Sequence, residues 1–176
     1  MLTGKPKAEA YKTSASYYKA AYEASAKSSK FYALTNWLSI ENALILAGQR
    51  NWNDVGRTKK NAIEELKEEL LANEESRKIA EEMNYWDLVA EANLKLCLIQ
   101  LGDKEATYDN VLTAYTAVWR YAGHPGNRQA EIEHFEFLED VLSVTGTKSS
   151  KVNTTQTQLF KKIGNIKKEL EQSNSR

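Results

Sequence analysis

A helix-length segment occurs twice in this chain, 54 positions apart. One copy runs from Phe31 to Gly48 and the other from Tyr85 to Gly102. Aromatic pairs open both (Phe31/Tyr32 and Tyr85/Trp86). Leu34 matches Leu88, Ile40 matches Leu94, Leu44-Ile45 matches Leu98-Ile99, and Gly48 matches Gly102. Self-similarity at fixed spacing marks repeat architecture, in which each unit buries its apolar face against the next. A weaker echo joins Tyr11, Tyr18, Ala20 and Tyr22 to Tyr108, Tyr115, Ala117 and Trp119 at an offset of 97. The first helix then reads as the second member of a hairpin whose partner is missing, as in a segment cut from a longer repeat protein.

The rest of the chain reads as helix. Ala8 to Lys27 carries apolar residues at helical spacing, with Pro6 suited to a first turn and Ser28 or Ser29 to a cap on the next helix. Gly48 gives a left-handed stop, and residues 49–56 read as a loop. A third helix starts near Thr58 and either continues through Ile79 and Met83 or breaks near Asn73. A fourth spans about 85–101, and a fifth, capped by Asp103, about 104–122. Gly123-His-Pro-Gly126 interrupts. A sixth helix, capped by Asn127, spans about 128–144, and a last one about 155–171. The expectation is an all-α, right-handed stack of antiparallel hairpins with about seven helices, burying Trp37, Leu44, Leu98, Tyr115, Trp119, Phe135 and Leu138. Residues 1–146 would form the repeat domain, 147–155 a linker, and 156–176 an amphipathic helix and tail.

At 176 residues the chain is long enough for one well-packed core. With 24 basic and 24 acidic residues it has no global field to draw it to nucleic acid or an anionic surface. Locally, residues 147–176 hold seven basic residues against two acidic ones, which reads first as solvated helix surface and secondarily as a nucleic-acid contact. Against nucleic acid, that tail is Lys-dominated with a single Phe, and the aromatics lie on inward helix faces. No apolar run is long enough to span a membrane and no signal peptide is present, so a cytoplasmic location is the default. The single cysteine, Cys97, aligns with Ala43 in an apolar run and reads as a small buried hydrophobe.

Trp37, Ile40, Leu44 and Gly48 stand at the spacing of the Trp, Leu, Tyr and closing Gly in the first helix of a tetratricopeptide repeat, which the chain resembles. In the second copy Leu94, Leu98 and Gly102-Asp103 fit. Glu91 replaces the aromatic, Glu41 and Lys95 stand where the family has a small residue, and 54 residues exceeds the family's period of about 34. This describes a diverged, longer-helix variant. The stretch Ala106 to Leu142, including Gln129 and Glu133 to Leu142, is similar to tails of bacterial tetratricopeptide-containing proteins that accompany caspase-like or TIR-type effector domains, and to a segment of stress-kinase kinases that bind TRAF-type adaptors. The resemblance covers roughly residues 31–144. It implies a non-catalytic protein-interaction or scaffolding module, part of a larger bacterial effector or signalling protein, with a protein or peptide partner.

Chemistry-bearing patterns are sparse. Glu131-Ile-Glu-His134 has the Glu-x-x-His spacing of di-iron bundles, but that site needs two copies and the only other histidine is His124. No phosphate-binding loop is present. These patterns predict no catalytic site, metal or cofactor. A partner groove is predicted on the inner faces of the two repeat helices, from Leu38, Ser39, Asn42 and Leu46 and then Asn93, Leu96 and Gln100 (Ala92 lies beside them). The same face would serve equally for packing against a neighbouring helix. A second docking surface is expected on the last helix, where Leu159, Phe160, Ile163, Ile166 and Leu170 form a stripe. It would be covered within the chain or between chains in a homodimer.

Overall fold

Twelve consecutive residues, Ala33 to Leu44, are all buried, and a helix loses every side from water only when neighbours surround it. The computed structural model describes residues 5–25, 30–79, 85–121, 124–144 and 153–173. In chain order the helices are α1 (Lys5–Ala24), α2 (Lys30–Leu46), α3 (Trp52–Val55), α4 (Lys59–Ile79), α5 (Tyr85–Gln100), α6 (Tyr108–Tyr121), α7 (Pro125–Leu142) and α8 (Thr154–Ser173). There is no strand among the described residues. The chain is thus an all-α stack of helical hairpins. α1 pairs with α2, α4 and α6 pack on α5, and α7 pairs with α8. The central helix α2 is the enclosed one, touching α1, α4, α5, α7 and α8.

The duplicated segment is duplicated in structure. Gly48 has φ 67° and Gly102 φ 72°, a left-handed conformation that costs a residue with a Cβ about 1 kcal/mol or more. The Gly48 and Gln49 N–H groups donate to the Ile45 and Leu44 carbonyls, both at 2.9 Å. Those of Gly102 and Asp103 donate to Ile99 and Leu98 at 2.9 and 3.0 Å. Both copies therefore end in the same Schellman stop, which satisfies the last carbonyls of the helix. α2 and α5 run parallel, since Ser39 meets Cys97 and, one turn on, Asn42 meets Gln100.

Several boundaries differ from the sequence reading. The expected loop 49–56 contains α3, which the Asn51 side chain starts by accepting the Asn53 and Asp54 N–H groups, while Asp54 accepts the Asn51 N–H at 2.8 Å. This capping box holds one turn that has no apolar period to announce it. Asp103 does accept the Ala106 N–H at 3.2 Å, but its other oxygen is bound by Lys67. The helix itself begins behind Thr107, whose hydroxyl accepts the Asn110 N–H. α7 begins at Pro125 rather than 128, because His124 Nδ1 accepts the Gly126 N–H at 3.1 Å and proline suits the first helical position. α4 is continuous through Asn73 to Ile79. The Ser28/Ser29 cap, Met83 and linker residues 147–152 lie outside the described residues, while Thr154 and Thr155 of the expected linker already belong to α8.

All seven large residues expected in the core are buried. Tyr22 and Trp37 pack at 6.0 Å between ring centres, with the Arg57 guanidinium 4.7 Å from the Trp37 ring and its charge paired with Glu65. α8 follows the expected amphipathic pattern, yet its stripe is not free. Leu159, Ile163, Ile166 and Leu170 are buried where α8 packs on α7, α6 and α2, and Lys167 binds Glu139 at 2.5 Å. Phe160, one position off the stripe, faces outward. The chain thus covers the stripe itself, which removes the basis for a homodimer built on it.

Candidate functional site

The groove expected on α2 and α5 is a closed seam. Leu38, Ser39, Asn42, Asn93, Leu96 and Gln100 are all buried, and only Leu46 keeps partial exposure. The Asn42 amide donates to the Gln100 carbonyl at 2.9 Å, Ser39 donates to the Cys97 sulfur at 3.6 Å, and the Asn93 side chain accepts the Tyr115 hydroxyl. These polar groups find partners within the α2–α5 and α5–α6 contacts, as buried polar groups must. The Leu46 carbonyl accepts the Asn153 amide at the head of α8. Of the two readings open for this face, helix packing is the one realised. Cys97 is enclosed in the same seam, and burial pushes its thiol up to about 12, so at neutral pH it stays protonated.

The concave site lies at the end of that seam. α1, α2, α5 and α7 enclose a recess of about 610 Å³. Its lip is aromatic: Tyr32 is 51% exposed and Trp86 65%. Tyr18 meets Tyr32 edge-on at 6.1 Å, and Tyr85 meets Trp86 the same way at 5.1 Å. His134 stacks on Phe137 along the α7 wall, with ring centres 6.4 Å apart. Asn36, Asn93 and Glu131 contribute the buried polar lining.

Tyr32 and Trp86 are equivalent positions of the two repeat copies. Parallel packing of α2 and α5 brings these equivalent ends to one mouth, so the aromatic openings of the duplicated segment stand together at the recess. That signal stood in the sequence as a mark of repetition, while the groove was sought a few turns farther along the helices. The α7 wall could not be located without knowing where α7 folds.

Glu131 dominates the electrostatics. The residue is 5% exposed. Its Oε1 accepts the Tyr85 hydroxyl at 2.9 Å, and its Oε2 has no hydrogen-bond partner among the described residues. Burial raises its carboxyl to about 7, against the smaller lowering effect of the Tyr85 hydroxyl. Burial drives the His134 imidazole the other way, to about 4, so it is neutral at physiological pH. The Tyr85 hydroxyl also lies 3.2 Å from the Asn127 carbonyl, tying the start of α5 to the first turn of α7. Glu131 and His134, the pair with di-iron spacing, therefore share one wall. No group of three His, Cys, Asp or Glu that could hold a metal occurs among the described residues.

These features define a class: a stack of helical hairpins whose duplicated helices present an aromatic-lipped recess over one buried carboxyl. No family model, curated protein or solved structure matches the chain. Among the described residues no helix is long and apolar enough to cross a membrane.

Proposed function

We propose that the protein is a non-catalytic interaction module that holds a protein or peptide partner at the recess between α1, α2, α5 and α7. The observation that carries this reading is the exposure of Tyr32 and Trp86 at the mouth of a concave site. Large aromatics left in water at a cleft are the usual anchors of protein recognition. The tetratricopeptide-like pattern of Trp37, Leu44, Gly48, Leu98 and Gly102 supports the same class, in which hairpin stacks present binding surface. A role as part of a bacterial effector or signalling assembly agrees with the resemblance of Ala106 to Leu142.

The test is selection from a random-peptide library against the folded chain, repeated with the Tyr32→Ala/Trp86→Ala double variant. The expected result is a set of peptides enriched on the wild-type protein and lost on the variant. Enrichment that survives both substitutions, or none at all, would refute the reading. The other reading, nucleic-acid binding through the basic residues of α8, draws on exposed Lys161, Lys162 and Lys168. It predicts association that falls steeply with salt.

A further inference from the structure

The geometry points to a specific anchor: the recess receives the cationic end of a lysine or arginine side chain from the partner, with Glu131 as counter-ion and the aromatic rings as walls. This rests on the interaction-module reading above and specifies the chemistry that its partner must bring.

Two acidic side chains, Glu131 and Glu133, line the recess, and no lysine or arginine lines it. Lys30 and Arg128, close in sequence to lining residues, are engaged elsewhere. Lys30 lies 5.2 Å from the Tyr22 ring centre, and Arg128 donates to the Trp119 carbonyl at 3.2 Å while lying against that ring. His134 is held neutral by burial and adds no positive charge. An anionic ligand would therefore meet carboxyl groups with no countercharge in the lining.

Glu131 supplies the positive argument. One of its oxygens is bound by Tyr85, and the other is buried without a donor. A buried acceptor left unmade costs free energy, more so when it carries charge. An ammonium or guanidinium group would bring both the missing N–H and the missing charge. The walls favour the same chemistry, because the faces of Trp86, Tyr32, Tyr18 and Phe137 carry negative quadrupole potential that attracts cations. A neutral hydroxyl or amide could satisfy the hydrogen bond but would gain neither the ion pair nor the ring attraction. An alkyl chain would use the rings and leave the carboxyl bare. A flexible stem ending in a cation uses the whole recess, with methylenes against the aromatic lip and charge at the carboxyl.

The experiment is a nuclear magnetic resonance titration of the ¹⁵N-labelled chain with n-butylammonium chloride, and in parallel with 1-pentanol, at constant ionic strength. The ammonium should shift the Trp86 indole N–H resonance saturably, while pentanol of similar shape should bind about tenfold more weakly or less. Glu131→Gln should weaken n-butylammonium binding by about tenfold while leaving the amide spectrum dispersed, and Trp86→Ala should weaken it independently. Equal binding of pentanol, or unchanged ammonium binding by Glu131→Gln, would overturn the inference. The selected peptides provide the second arm: replacing their lysine by norleucine, or arginine by citrulline, should abolish binding. Peptides that need Tyr32 and Trp86 but no basic residue would leave the interaction reading standing and defeat this one. Glu131-dependent ammonium binding without any selectable peptide would do the reverse.

Discussion

Replacing Glu131 by glutamine should make the protein more stable at pH 8 and nearly leave it alone at pH 5. Glutamine keeps the shape of the side chain and an acceptor for the Tyr85 hydroxyl, and removes the ionisable group. In the wild-type fold burial holds the carboxyl at about 7 against an ordinary value of 4.5. An acid raised in this way binds more protons folded than unfolded. Its penalty is therefore absent below about pH 4.5, grows as pH rises through the interval, and is complete above about pH 7. A rise of that size corresponds to about 3 kcal/mol at full development, and to about 2.5 kcal/mol between pH 5 and pH 8. His134 acts in the opposite sense. Burial depresses its imidazole to about 4, so the stability of its neutral form is lost as pH falls from 6.5 towards that value. The wild-type profile alone would mix the two, whereas the difference between wild type and variant removes His134, and Tyr85 and Tyr115, both raised above the ordinary tyrosine value, do not titrate between pH 5 and pH 8. Urea denaturation followed by circular dichroism at both pH values gives the answer. With a slope of about 2 kcal/mol per molar, the gap between the two midpoints should change by about 1 M in favour of the variant at pH 8. A gap that does not move with pH would refute the buried-carboxyl argument.

Phe135→Ala should cost about 3–5 kcal/mol, since Phe135 is fully buried and packs 4.8 Å from the Tyr115 ring centre; a denaturation midpoint within error of wild type would contradict its place in the core. Gly48→Ala should cost about 1–2 kcal/mol by calorimetry or denaturant titration. An added methyl group there would meet nothing within 4 Å, so the loss would come from the left-handed backbone alone. Cys97, buried with its thiol pushed up to about 12, should react with Ellman's reagent only at the rate of unfolding, and prompt labelling of the native protein at pH 8 would show the seam to be open.

The sequence disclosed what is local or repeated. Gly48 and Gly102 announced two equivalent helix stops, and apolar periodicity placed Trp37, Tyr115 and Phe135 inside. The one-turn helix Trp52–Val55 escaped because four residues cannot show a period, and its signal was the Asn51/Asp54 cap. The face expected to form the partner groove is buried for a non-local reason. Ser39, Asn42, Asn93 and Gln100 are polar, which reads as exposure, but in the fold Ser39 and Asn42 bond across the α2–α5 seam, Asn93 bonds Tyr115 of α6, and all four are buried. Glu131 and His134 were legible as a pair one helical turn apart. The residue that gives Glu131 its character, Tyr85, stands 46 positions away, and no spacing rule joins them.

Lys7 binds Asp140 at 2.5 Å, Tyr11 donates to the same carboxylate, and Tyr11 packs edge-on against Phe137. The first helix of the described chain is thereby fastened to the penultimate one. Linear repeat arrays have contacts only between neighbours, so they can lose units from an end while the remainder stays folded. Here α1 is tied to α7, and α7 and α8 fold back onto α2, so contacts reach beyond nearest neighbours in the row. With such ties between non-adjacent helices, the described helices should melt together rather than one hairpin at a time.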